Sequence, residues 1–195
     1  MITRSEENYL KAIFSVHMQT KKNVSTNDIA NLLDTSPASV TEMIKKLQEK
    51  KLVIYEKYNG VKLSSTGENN AIKTIRKHRL WETFLVNKLD FSWSEVHDVA
   101  EQLEHIKSNK LTDKLDHFLN YPKFDPHGDP IPTKNGVFNF QERISIFEMD
   151  INEEGIIMWV SLDNKDFLDH LTNLKISIGT RVRVLEQIKF DQSMK

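Results

Sequence analysis

The chain contains no cysteine, which excludes disulfides, thiolate metal sites and thiol catalysis. No apolar run approaches the ~20 residues that a bilayer span needs. The opening residues, MITRSEENYL, lack the hydrophobic stretch and small-residue cleavage site of a secretory signal. The cytoplasm is therefore the expected location, and no membrane partner is expected. Also absent are an H-E-x-x-H run, a glycine-rich phosphate loop and a G-x-S-x-G elbow, so the common signatures of hydrolases and nucleotide enzymes are missing.

What is present is typical of a globular protein: 195 residues, 38% hydrophobic and 28% charged, enough for two or three small domains. The near-zero net charge hides an asymmetry. Residues 1–80 hold 14 Lys and Arg against 8 Asp and Glu, leaving 13 basic against 20 acidic residues in the remainder. A basic module joined to an acidic, histidine-bearing one suggests a polyanion partner for the first and cations for the second.

The basic part reads as a winged helix-turn-helix. Thr3 and Glu6 make a capping box for a first helix over about 4–19. Ser25 and Asp28 cap a second over Ser25 to Leu33, and Ser36-Pro37 opens a third over about 37–50. Leu52–Lys57, an Asn59-Gly60 turn and Val61–Leu63 then form a hairpin where a wing belongs. Ser65 to Glu68 is expected to cap a long helix leading into His78.

Around that helix runs the stretch on which the chain is organised. At helical spacing His78 and Glu82 share one face, and on the next helix, capped by Ser92 and Glu95, so do His97, Glu101, Glu104 and His105. Apolar stripes, Leu80, Phe84, Leu85 and Leu89 on one helix and Val96, Val99, Ala100, Leu103 and Ile106 on the other, run beside the polar ones. A shorter helix over Ser108 to Leu119 follows, then the Pro/Gly-rich DPHGDPIP segment at 125–132 and a linker through Asn139. Beyond it strands are expected at Arg143–Phe147, Gly155–Val160 and Thr180–Gln187, with a helical turn at Lys165–Leu174.

The strings ENYLKAIF, SPASVTEMIKKL, YEKYNGVKLSSTG, KHRLWETFLV, EVHDVAEQLEHI and DPHGDPIP resemble the diphtheria-toxin-repressor family of metal-dependent transcriptional regulators, manganese transport regulators included. The resemblance covers about residues 3–132 firmly and 140–195 in outline. It implies a mainly α fold: a winged helix-turn-helix at 1–64, a helical dimerisation and metal-binding domain at 65–132, and a small SH3-like β domain at 140–195. With three strands instead of the usual five or so, that last domain is expected to be incomplete as a barrel.

The resemblance also implies two ligand sets. One comprises Glu101, Glu104, His105 and position 8, where this chain has Asn8; manganese-responsive members tend to carry Asp there and iron-responsive ones Met. The other comprises His78, Glu82 and His97, extended by candidates Asp125, His127 and Asp163. Oxygen and imidazole ligands without sulfur suit Mn(II) or Fe(II). On the DNA side, base reading falls to Ser36, Pro37, Ala38, Ser39 and Thr41, and phosphate contacts to Lys45, Lys46, Lys57 and Lys62, with Lys50 and Lys51 at the same helix end.

Each assignment has a plainer counterpart. Taken singly, His78/Glu82 and Glu101/His105 are surface pairs worth ~0.2–0.5 kcal/mol each; Asp125 is a turn cap, His127 a solvated histidine, Asp163 a loop carboxylate. Trp81 and Trp93 fit a core or dimer interface better than a base-stacking platform. The expected function is a homodimeric, Mn(II)- or Fe(II)-dependent repressor of metal-uptake genes acting on an operator in duplex DNA. The alternatives are a winged-helix regulator indifferent to metal, or a metalloenzyme built on the same His/Glu set.

Overall fold

The computed structural model describes residues 2–56, 59–161, 164–188, 190 and 193–195. Among them the chain forms seven α-helices and two small antiparallel sheets, and it divides into two compact units. The first comprises Met1–His78, Gln102–Asn109 and Pro132–Val137, and the second Arg79–Glu101, Lys110–Ile131 and Phe138–Lys195. This division by compactness runs through a long helix that a division by sequence pattern assigns to one domain.

In the first unit, α1 (Arg4–Thr20) starts at Thr3, where Glu6 and Thr3 close the expected capping box. Ser25 and Asp28 do the same for α2 (Thr26–Leu32), and Ser36 caps α3 (Pro37–Glu49) with proline in the first turn. The turn between α2 and α3 places Asp34 at φ 47. The wing pairs β1 (Val53–Glu56) with β2 (Gly60–Leu63), with Val53 opposite Leu63 and Glu56 opposite Gly60. Gly60 has φ +90, and a Cβ there would lie 2.7 Å from the Val24 carbonyl oxygen, so this turn accepts only glycine without strain. Val24 and Val61 exchange both backbone hydrogen bonds at 2.8 and 2.9 Å, adding a one-residue third strand. Leu10, Ile13, Val24, Ile29, Val40, Leu47 and Val61 are completely buried and form the core under the three helices and wing.

The long helix α4 (Ser65–Leu89) is capped one residue earlier than the sequence pattern predicts. Ser64 Oγ accepts the Gly67 amide at 3.1 Å, so Ser65 is the first helical residue and not the cap. The next helix is shorter than expected at both ends. Ser92 and Glu95 do bond to one another, at 2.6 Å, but α5 covers only Val96–Leu103, and a tight turn from Leu103 O to Ile106 N closes it. Helix α6 (Asn109–Phe118) follows.

The second unit packs Leu80, Leu115 and Ile131 together, with Trp81, Phe84 and Leu119 against them. Its C-terminal portion holds β3 (Glu154–Ile156) paired with β4 (Arg181–Arg183), helix α7 (Lys165–Asn173) and an isolated bridge between Gln187 and Met194. The expected strand at Arg143–Phe147 does not form. Ser145 and Glu148 close a capping box there, which favours a 3-10 turn, and the Arg143 guanidinium sits 3.9 Å above the Trp159 ring instead of joining a ladder.

Candidate metal centre

In the first unit, α1 presents Glu7, Asn8 and Lys11, while Glu104 and His105 occupy the turn beyond α5. The predicted single face of His97, Glu101, Glu104 and His105 is therefore broken, because the helix ends at Leu103. Glu104 is 1% exposed. Its Oε2 accepts from Lys11 Nζ at 2.8 Å and lies 2.6 Å from His78 Nδ1. Burial pushes this carboxyl up, yet the hydrogen bond from His78 and the Lys11 charge outweigh it and hold Glu104 below the usual range.

His105 Nδ1 stands 2.6 Å from Glu7 Oε2. A carboxylate oxygen accepts, so Nδ1 is the donor here and Nε2 is the ring nitrogen left without a partner. Among the described residues, three buried side-chain atoms have no hydrogen-bond partner: Asn8 Oδ1, Glu104 Oε1 and His105 Nε2. The last two are 3.6 Å apart, beyond hydrogen-bonding reach. Burying an unpaired polar atom costs about 1–3 kcal/mol, so each of the three is held at a cost that a partner would relieve. An amide oxygen, a carboxylate oxygen and an imidazole nitrogen make a donor set that fits a borderline-to-hard divalent ion.

The second unit contains a second set. Glu82 on α4 lies 3.4 Å from His97 Nδ1 through Oε1 and 3.7 Å from His127 Nδ1 through Oε2. Glu82, Asp125 and His127 are all buried, with ligand-capable atoms within 4.8 Å of one another. His127 Nε2 donates to the Trp93 carbonyl at 2.7 Å, and its ring stacks on the indole at 6.2 Å, leaving Nδ1 towards Glu82. Burial opposes charge on this imidazole, but Glu82 and the Trp93 carbonyl prevail and raise it to about 9. Burial, reinforced by the charge of Glu82, pushes Asp125 up to about 7. Two carboxylates so close inside the protein carry negative charge that a divalent cation would offset.

Asp125 also does what its plainer reading predicts: Oδ1 accepts the amides of His127 and Asp129 at 2.9 and 3.0 Å. His127 is buried, contrary to the solvated alternative. Gly128, at φ +87, brings the backbone so near that a Cβ would lie 2.0 Å from the Met158 carbonyl oxygen. Glu101 stands 3.6 Å from His97 one turn away on α5, and His78 lies one turn before Glu82 on α4. Asp163 lies outside the described residues.

The family profile described as "Iron dependent repressor, N-terminal DNA binding domain" matches residues 1–61, and "Iron dependent repressor, metal binding and dimerisation domain" matches residues 64–133. The HTH-type transcriptional regulator MntR of Listeria monocytogenes is 32% identical over 133 residues, 68% of this chain and 91% of that protein. The chain belongs to the iron-dependent repressor family. As such the repressor is a metal-dependent, DNA-binding transcriptional regulator and not an enzyme.

Solved structures agree. A manganese-dependent transcriptional repressor in complex with manganese superposes with TM-score 0.85 at 35% identity, covering 95% of this repressor and 86% of that chain. ScaR with bound Cd2+ gives 0.79 at 34%, covering 97% and 88%. A shorter match, 43% identical over 72 residues, is to a probable metal transport system membrane protein of Chlamydia trachomatis; it takes in 37% of the repressor and spans 16% of that protein.

On the repressor's DNA-binding side, Ser36, Pro37, Ala38, Ser39, Thr41, Lys45, Lys46 and Lys62 are exposed. All three hydroxyls are already engaged, Ser36 as the α3 cap, Ser39 with the Ser36 hydroxyl at 2.9 Å and Thr41 with the Pro37 carbonyl at 2.8 Å. Lys45 pairs with Glu42 at 2.7 Å and Lys62 with Glu56 at 3.3 Å, exposed pairs weak enough to exchange for phosphate. Lys50 is bonded to the buried Glu6 at 2.7 and 2.9 Å, which ties it to α1. Lys57 lies outside the described residues.

Glu7 and Lys11 escaped the sequence reading. Both sit within one turn of Asn8 on α1, so helical spacing from a suspected ligand was the available signal. Trp93, expected in a core or interface, is half-buried against His127 and donates to Thr172 Oγ1 on α7 at 2.8 Å.

Proposed function

We propose that the chain is a cytoplasmic, homodimeric repressor of metal-uptake genes that binds a near-palindromic operator when Mn(II) or Fe(II) occupies its ligand sets. The observation that carries this reading is the trio of buried, partnerless acceptors Asn8 Oδ1, Glu104 Oε1 and His105 Nε2. One of the three belongs to α1 of the winged helix and two to the turn after α5. A bound divalent ion supplies the positive charge that all three lack.

The chain's own residues do the rest. Glu7 fixes the His105 tautomer, and His78 and Lys11 hold Glu104 ionised and in place. With Asn8 tied to Glu104 and His105, α1 loses freedom, which favours one arrangement of the α3 recognition surface. Glu82, His97, Asp125 and His127 form the second set, and His78 and Glu101 stay with the sets that the resemblance gives them. Ser36, Pro37, Ala38, Ser39 and Thr41 read bases while Lys45, Lys46 and Lys62 contact phosphates.

The dimer surface we assign to the apolar side chains left in solvent at the end of α4, on α6 and just beyond it: Leu89 at 53%, Leu111 at 40%, Phe118 at 61% and Tyr121 at 62% exposure. Such a patch on a single chain marks an interface, and a self-complementary one suits two-fold symmetry.

The test is selection of duplexes from a random pool by the purified protein in Mn(II) and, in parallel, in chelator, followed by anisotropy titration of the enriched sequence. Tight binding confined to the Mn(II) arm is expected. Equal affinity in both arms would sink the metal switch and leave a winged-helix protein indifferent to metal.

A further inference from the structure

Lys11 lies on the same face of α1 as Asn8, three residues further on. Its ammonium donates to Glu104 Oε2 at 2.8 Å and reaches within 3.4 Å of His78 Nδ1, with side-chain exposures of 19% for Lys11 and 1% for Glu104. The two oxygens of Glu104 are thus divided in role: Oε2 is held by Lys11 and His78, while Oε1 is buried without a partner 3.6 Å from His105 Nε2. A second ammonium, Lys77, is half-buried nearby; burial pushes its pKa down while Glu7 and Glu104 raise it.

A divalent ion at Oε1 shares one carboxylate with the Lys11 charge. Inside a protein, where effective dielectric is far below that of water, like charges at such range repel strongly. The first-unit set is also poor in negative charge, since position 8 is an amide.

We propose that Lys11 is an internal counter-ion of the Asn8/Glu104/His105 set: it holds Glu104 in place through Oε2 in the metal-free protein, opposes metal entry at Oε1, and thereby sets the metal concentration at which the repressor responds. This rests on the reading of those three residues as a metal-binding set. A merely structural lysine predicts the opposite sign, because removing it would loosen Glu104 and weaken metal binding.

The experiment is Mn(II) calorimetry on the full chain in a Glu82→Ala background, which removes the carboxylate that His97 and His127 both face and so disables the second set. Lys11→Gln and Lys11→Met are compared with Lys11, and Glu104→Gln serves as the ligand control; circular dichroism and thermal melting establish that each variant is folded. Both Lys11 variants are expected to bind Mn(II) about tenfold tighter or more, and Glu104→Gln to lose the titration. If Glu104→Gln removes the ion but folded Lys11 variants bind as Lys11 does, or more weakly, the counter-ion role is overturned and the metal site stands. If Glu104→Gln titrates unchanged, no ion uses Glu104, and both the ligand reading and the counter-ion role fall.

Discussion

His105 Nδ1 lies 2.6 Å from Glu7 Oε2, across 98 residues of sequence. A carboxylate behind a ligand histidine fixes the ring and raises the basicity of the other nitrogen, and losing such a partner typically costs 10–100-fold in metal affinity, roughly. Glu7→Gln should weaken Mn(II) by about that factor while leaving the thermal transition nearly in place. An unchanged Mn(II) isotherm would show that His105 Nε2 does not meet metal.

Position 8 offers a test in the other direction. Asn8 Oδ1 is a buried acceptor without a partner, and an amide donates no net charge. Asn8→Asp should tighten Mn(II) about tenfold, since hard divalent ions favour charged oxygen. Matching affinities in calorimetry would remove position 8 from the ligand set.

Glu6 and Lys50 give a stability prediction independent of metal. Burial raises the Glu6 carboxyl, but the Lys50 and Thr3 hydrogen bonds win and hold it below its usual value of 4.5. A depressed carboxyl stabilises the fold above its unfolded value and loses that contribution as pH falls through the folded one. Lys50→Ala, which strands Glu6, should cost about 1–3 kcal/mol at neutral pH and flatten the acid limb of stability below pH ~4.5. Urea melts at pH 7 and pH 3 check both; an undiminished difference between the two pH values would clear Lys50 of the role.

For the interface, Phe118→Asp puts a charge where 61% of a phenylalanine is exposed on α6. Sedimentation should show a folded monomer with DNA affinity reduced by at least about tenfold, as half the phosphate contacts are lost. A persistent dimer would place the interface elsewhere.

Removing everything after Pro132 tests the C-terminal region. It severs Trp93 from Thr172 and the His127 carbonyl from the Val160 amide, so the stacked pair that orients His127 loses its backing. The truncated chain should still dimerise and bind DNA with metal, at a higher Mn(II) concentration; an unshifted Mn(II) midpoint would mean the region contributes nothing to the second set.

Local rules explain why the winged helix was legible from sequence. Thr3/Glu6, Ser25/Asp28 and Ser36-Pro37 each encode their cap within four residues, and the structure follows all three, while Gly60 of the expected turn opens the second wing strand opposite Glu56. The types of residue in the candidate sites were equally visible, because His and Glu recur at helical spacing. Which carboxylate meets which histidine was not, since Glu7–His105 and Lys11–Glu104 span 98 and 93 positions and depend on tertiary packing. The early end of α5 was missed because apolar periodicity continues through Ile106, whereas Glu104 is drawn to Lys11 and His78. At Arg143–Phe147 the β-branched residues promised a strand, but a Ser145/Glu148 box is a stronger local signal.

The paired hydrogen bonds between Val24 and Val61 give the wing a property that its own two strands would not. An isolated two-stranded hairpin is at best marginally stable in water, and a wing that ordered only on touching DNA would spend affinity on its own folding. Stitched to the segment ahead of α2 at Val61, one residue from the Glu56–Gly60 pair, the paired strands of this hairpin are held in place without DNA. Val24 and Val61 amides should therefore exchange with deuterium as slowly as the α1 core, in free and DNA-bound protein alike, so that DNA binding adds no protection at this pair.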